Sequence, residues 1–200
     1  MMLSLYHSPG SRSSRFIWLL EELGAEYQLI YCSIPRRNGN GASDPSNPHP
    51  DKRVPALVHD GALITESAAI ALYLTDLRPE RGLGPSQAQP NRGLYLSWLA
   101  YYAGEIEPAF AAKISGQTDN DPFAARSFNH VIARVYSALK ADAFLLGDSF
   151  SAADVLVSSI FKWFRDAVPP CTVLDEWLER MAARPAARRA LERDARPLVG

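Results

Sequence analysis

Only two of the 200 residues are cysteine, Cys32 and Cys171, and they form no CxxC pair. That scarcity excludes a disulfide framework and dithiol redox chemistry. Charge of either sign is also missing in excess: 21 Lys and Arg stand against 22 Asp and Glu, for a formal net charge of −1. No global field therefore draws the chain to nucleic acid or to an anionic membrane. The basic stretches Arg36-Arg37 and Arg184 to Arg196 are interleaved with other residues and read as solvated surface. No apolar run reaches the ~18 residues needed to span a bilayer. The start, Met1-Met2-Leu3-Ser4-Leu5, lacks the basic and long apolar regions of a secretory signal, so the cytoplasm is the expected location. The four histidines, His7, His49, His59 and His130, have no metal-ligand spacing, and no metal is assigned.

What is present is ordinary globular material, 47% hydrophobic and 22% charged, enough for one large or two small domains with a substantial core. Leu3 to His7 reads as a strand, broken by Ser8-Pro9-Gly10-Ser11. Phe16, Leu19, Leu20 and Leu23 then recur at helical spacing from about Ser13, with Gly24 as the stop. Tyr27 to Tyr31 reads as a second strand, giving a β-α-β opening. Residues 34–51, rich in Pro, Gly, Asn and Ser, read as a long loop with at most one helical turn.

The most informative stretch runs from Arg53 to Ile70. Two short strands meet at Asp60-Gly61, a strong hairpin signal, and the second passes into a helix at Glu66-Ser67. Pro55 cannot donate to a ladder and belongs at the first position of its strand. If the Val54-Pro55 bond is cis, the main chain of Val54 is left to pair, strand-like, with a short peptide. Glu66 is suited to an amine, and the Ser67 hydroxyl and helix N-terminus to a carboxylate. Taken singly, each of these features is more often structural, since Glu-Ser at a helix start is ordinary capping chemistry. Taken in order, they describe a site for glutathione.

This stretch resembles the glutathione-site segment of the soluble glutathione transferases, in which the proline is cis and a Glu/Gln-Ser pair binds the γ-glutamyl end. The lead-in His49-Pro50-Asp51-Lys52-Arg53 also resembles that family's, except that glycine is usual where Lys52 stands and lysine where Arg53 stands. The resemblance implies a fold with an α/β thioredoxin-like N-terminal domain plus an all-α C-terminal helical domain. It places the first over residues 1–78, a linker over 79–90, and the helical domain over 91–200. Helices are expected at about 88–112, 122–142, 151–166, 172–183 and 185–194. Ser151 and Asp154 have capping-box spacing ahead of an apolar helix, with Phe150 as its staple, and resemble the family's buried central helix. That cap is read as structural, worth ~1 kcal/mol.

Glutathione transfer requires a thiolate rather than a thiol, and a free thiol titrates near ~8.5. Tyr6-His7-Ser8-Pro9-Gly10-Ser11 resembles in spacing the Pro-Gly-Ser segment of serine-type transferases, which makes Ser11 the residue expected to donate to the sulfur, while Ser13 or Ser14 caps the helix. Ser11 as a mere cap is the plainer alternative. Tyr6 matches the tyrosine-type classes by rough position, although strand alternation turns it toward the core. Arg12 stands where cysteine-type classes keep their cysteine, and no cysteine occurs between 6 and 15. The resemblance implies glutathione as co-substrate, held by Arg53, Val54, Glu66 and Ser67, and a small hydrophobic electrophile received between the domains. Trp98, Tyr101, Tyr102 and Glu105 recur at helical spacing there, with Tyr102 the preferred contact. A homodimer is implied in the same way. Two other outcomes stay open: a glutathione-binding module without turnover, and a glutathione-dependent isomerase, peroxidase or dehalogenase.

Overall fold

A computed structural model describes residues 2–195. The chain divides into two compact units, one made of residues up to Leu74 together with those from Arg184 onward, the other of Thr75–Ala183.

The first unit is built on a four-stranded mixed sheet in the order β2-β1-β3-β4, comprising β1 (Leu3–His7), β2 (Tyr27–Tyr31), β3 (Ala56–His59) and β4 (Ala62–Thr65). β1 and β2 are parallel, joined by α1 (Ser14–Leu23). The other pairs are antiparallel. α1 carries the expected apolar face, with Phe16, Ile17, Leu19 and Leu20 fully buried. It stops at Gly24, whose φ of 58° suits a residue without a Cβ. Asp60 and Gly61 both have positive φ, the geometry of the tight turn that matches the twist of a two-residue hairpin. Residues 34–51 form no helix.

α2 (Ser67–Leu77) follows β4. α8 (Pro185–Asp194) comes last and packs on α1 through the small residues Ala186, Ala187 and Ala190. The arginines read from sequence as solvated surface in fact clamp this pair. Arg184 Nε and Nη2 meet Glu22 at 2.6 and 2.9 Å, and Arg189 Nε meets Glu21 at 2.7 Å. Arg196, the last of that run, lies outside the described residues.

The second unit is helical: α3 (Arg92–Tyr101), α4 (Glu107–Ile114), α5 (Pro122–Ala141), α6 (Ala152–Trp163) and α7 (Thr172–Ala182). The helix expected over 88–112 begins later and widens into a π turn at Tyr102–Ile106. Pro108 has no N–H to give the carbonyl of Gly104, so a regular α pattern is interrupted at that point. α6 is buried on nearly every face, and the Ser151–Asp154 capping box is formed as read. Among the described residues no helix is long and apolar enough to cross a membrane.

Candidate functional site

Strand register gathers the candidate residues of the first unit at one end of its sheet. Tyr6 pairs with Ala56, and Ala56 with Thr65. The loop leaving β1, the Val54-Pro55 entry to β3 and the Glu66-Ser67 exit from β4 therefore emerge side by side, next to the carboxyl end of β2. Ligand sites in open α/β sheets form where strands release their loops in this way.

The Val54-Pro55 peptide is cis. Val54 is buried, yet neither its N–H nor its C=O has a hydrogen-bond partner among the described residues. The loop before it is firmly held. Asn47, fully buried, donates Nδ2–H to the carbonyl of Arg53 at 3.0 Å and accepts the His49 N–H at 3.0 Å. His49 Nδ1 accepts the Asp51 N–H at 3.0 Å, and Lys52 Nζ donates to the Asn47 carbonyl at 2.7 Å. Lys52 has φ 54°, the left-handed conformation that explains why glycine suits this position. The Arg53 side chain is exposed and makes no ion pair among the described residues.

Glu66 is exposed with φ 69°, the second strained non-glycine residue at this end of the sheet. Its carbonyl accepts the Ile70 N–H at 2.9 Å and so opens α2. Its carboxylate and the half-buried Ser67 hydroxyl have no partner among the described residues. A carboxylate, a hydroxyl at a helix N-terminus, a guanidinium and an unpaired stretch of main chain thus stand along one rim.

The loop after β1 is more elaborate than its sequence discloses. Ser11 is half-buried, and its Oγ lies 2.7 Å from Ser13 Oγ. Ser13 sits at the N-cap position of α1, but its hydroxyl does not cap the helix as expected. It turns back to His7 Nδ1 at 2.8 Å and accepts the Ser8 N–H at 3.2 Å. Ser14 instead accepts the Ser11 N–H at 3.2 Å. Asp194 of α8 receives the Gly10 N–H at 3.2 Å and the Ser14 hydroxyl at 2.6 Å, placing a protein carboxylate at the start of α1. Burial raises the Asp194 carboxyl, but the neighbouring His7 and hydrogen bonds from Ser14 and Gly10 outweigh it and the net shift is downward. Arg36 donates to Ser8 Oγ at 3.0 Å and to the Pro9 carbonyl at 2.6 Å, so this arginine also binds the loop instead of simply facing solvent. Tyr6 is half-buried on β1.

Sequence reasoning gave Ser13 the role of a helix cap and did not single out His7, Asp194 or Arg36 for this loop. A histidine closing a buried strand was a weak available signal for the first; Asp194 had none, being some 180 residues distant from the loop it caps.

In the second unit Tyr102 is buried, and its hydroxyl donates to Glu107. Trp98 is buried as well, while Tyr101 is half-buried beneath Arg134, whose guanidinium carbon lies 3.9 Å from the ring centroid. Among the described residues no group of three or more His, Cys, Asp or Glu side chains is arranged to hold a metal ion.

A thioredoxin-like sheet with an unpaired cis-proline entry, followed by a helical unit, defines a glutathione transferase fold. The glutathione S-transferase N-terminal domain matches residues 1–76, and the C-terminal domain of the same family matches residues 102–185. The chain belongs to the glutathione S-transferase family. It is 27% identical over 195 residues to glutathione S-transferase GstA of Escherichia coli O157:H7, covering 94% of this chain and 97% of that one. A glutathione transferase structure from Methylococcus capsulatus superposes with a TM-score of 0.82 at 29% identity, over 96% of this chain and 98% of the other. A sphingomonad glutathione S-transferase complexed with glutathione gives 0.81 at 26% identity, over 97% and 100%. Maleylacetoacetate isomerase of Rattus norvegicus is 28% identical over 141 residues, 68% of this chain and 65% of that protein.

Proposed function

We propose that this protein is a glutathione S-transferase that joins the glutathione thiolate to small hydrophobic electrophiles. The observation that carries the reading is the buried main chain of Val54, unpaired among the described residues, together with the Glu66 and Ser67 side chains, which have no partner among them either. The peptide backbone of glutathione would pair with Val54, its γ-glutamyl amine with Glu66, and its γ-glutamyl carboxylate with Ser67 and the start of α2. Arg53 would meet the other carboxylate. Ser11 would donate its hydroxyl hydrogen to the sulfur; each pH unit by which the thiol titration falls represents ~1.4 kcal/mol of preference for the thiolate. Tyr102, its hydroxyl already oriented by Glu107, is the proposed contact for the electrophile. The protein would act as a cytoplasmic homodimer, as its family implies, and detoxification is the role this chemistry suits.

The test is the ultraviolet difference spectrum of glutathione bound to the protein, titrated with pH. A thiolate band developing well below pH ~8.5 supports the transferase. Saturable binding without that band points to a module without turnover, and no binding overturns the assignment of Val54, Glu66 and Ser67. The match to an isomerase keeps one other glutathione-dependent reaction in view, and turnover of enone, epoxide, haloalkane and hydroperoxide substrates separates these chemistries.

A further inference from the structure

The hydroxyl of Ser11 is the outer end of a chain of polar atoms that reaches a buried histidine and a carboxylate. Ser11 Oγ lies 2.7 Å from Ser13 Oγ, Ser13 Oγ lies 2.8 Å from His7 Nδ1, and His7 Nε2 lies 3.2 Å from Asp194 Oδ1. His7 and Ser13 are fully buried, whereas Ser11 is half-exposed. The last contact is short but not collinear, so it acts as a charge contact more than as an aligned hydrogen bond. A lone pair on Nε2 would face the carboxylate at that distance and be repelled. Neutral His7 therefore carries its hydrogen on Nε2 and presents the Nδ1 lone pair to Ser13.

We propose that His7 and Asp194 serve as the proton acceptor for glutathione, working through Ser13 and Ser11. This rests on the reading of Ser11 as the residue that meets the sulfur. In the step, the S–H bond breaks and its proton passes to Ser11 Oγ. The hydrogen of Ser11 passes to Ser13 Oγ, and that of Ser13 forms a new N–H bond at His7 Nδ1. The products are a thiolate and an imidazolium, with no change of oxidation state. Every hydrogen bond along the chain has then reversed: Nδ1–H donates to Ser13, Ser13 to Ser11, and Ser11 to the sulfur. Ser11 Oγ also accepts the Ser13 N–H at 3.3 Å, which leaves its own hydrogen for the thiolate. The thioether product has no S–H, so the proton leaves to solvent. Asp194 holds the imidazolium by charge, as a carboxylate behind a histidine does in other proton relays.

The remaining groups around His7 are consistent with this role. From β2, the Tyr31 ring packs edge-on at 5.4 Å, and Cys32 at the strand's end donates its N–H to the His7 carbonyl. From α8, Asp194 contacts the ring, while Arg193 turns to Glu21 and Tyr27. From the loop after β2, Arg36 reaches Ser8 and Pro9 instead of the imidazole. His7 and Asp194 are positioning residues here, since neither touches the sulfur.

Ser13→Ala cuts the relay and leaves the Ser11 hydroxyl in place. The expected result is a rise of about one pH unit in the titration of bound glutathione. It would accompany an about tenfold fall in kcat/KM at pH 6.5 that disappears above pH 9, with the KM for glutathione within about twofold. Asp194→Asn is expected to move the titration in the same direction, and Ser13→Thr to restore it. Thermal melting shows that each variant is folded. If Ser11→Ala removes the thiolate band while the folded Ser13→Ala and Asp194→Asn proteins titrate as wild type, the relay is wrong and the role of Ser11 stands. A uniform loss of rate at all pH values likewise overturns the relay, as a structural effect. If Ser11→Ala changes nothing, the reading of Ser11 and the relay built on it fall together.

Discussion

Replacing Asp154 by alanine should cost far more than the loss of an ordinary helix cap. The carboxylate is fully buried and receives four donors: the N–H of Leu145 at 3.0 Å, the N–H and hydroxyl of Ser151 at 3.0 Å each, and the indole N–H of Trp177 at 3.3 Å. Alanine leaves three buried N–H groups without an acceptor, at about 1–3 kcal/mol each. Against this stands the cost of burying the charge. Burial pushes the Asp154 carboxyl up from 3.8 to about 6, despite the donors that oppose it. At about 1.4 kcal/mol per pH unit, removing the charge at pH 7 returns about 3 kcal/mol. The net expectation is a loss of about 3 kcal/mol at pH 7, the middle of the range of about 0–6 that this subtraction leaves, compared with ~1 kcal/mol for a simple cap. Because the folded state holds this proton more tightly than the unfolded chain, the group's stabilising contribution is fully present below pH 3.8 and fades as pH rises through about 6. The difference between wild type and Asp154→Ala should therefore be larger at pH 4.5 than at pH 7.5. Urea unfolding at the two pH values measures both quantities. A difference between the two proteins that grows with pH would refute the reasoning.

Three further outcomes follow from particular contacts. Arg53→Ala should raise the KM for glutathione about three- to tenfold and leave the melting temperature unchanged, because its exposed side chain makes no ion pair among the described residues. Lys52→Gly should be nearly neutral in denaturant unfolding, since relief of a left-handed φ offsets both the lost bond to the Asn47 carbonyl and the added freedom of the unfolded chain; Lys52→Ala keeps the strain and should cost about 1 kcal/mol. Burial, reinforced by the Asp44 charge, pushes the Cys32 thiol up to about 11, whereas Cys171 is half-exposed. A disulfide reagent at pH 8 should therefore titrate one thiol in the folded protein and two after unfolding, and two fast-reacting thiols would contradict the packing around Cys32.

Much of this molecule is decided within a few residues of sequence. The Asp60-Gly61 hairpin, the Gly24 stop and the capping box of α6 follow from backbone preferences and side-chain bonds to neighbouring amides, and each is legible where it is written, whereas Pro55, expected to open β3, lies one residue before the strand begins at Ala56. The Val54-Pro55 and Glu66-Ser67 rim was equally readable, because a single hairpin with a two-residue turn joins its halves. Other features belong to no local pattern. The π turn before Pro108 interrupts what reads as one continuous helix. Residues near the chain's end form α8 and pack on α1, and this converts surface arginines into clamps and carries Asp194 to the loop after β1. That Ser13 turns to His7 instead of capping α1 is seen only in the fold, where His7 is buried between Ser13 on one side and the distant Asp194 on the other. Short-range bonding writes itself into adjacent residues, whereas a proton path is assembled from groups that only the folded chain brings within 3 Å or so of one another.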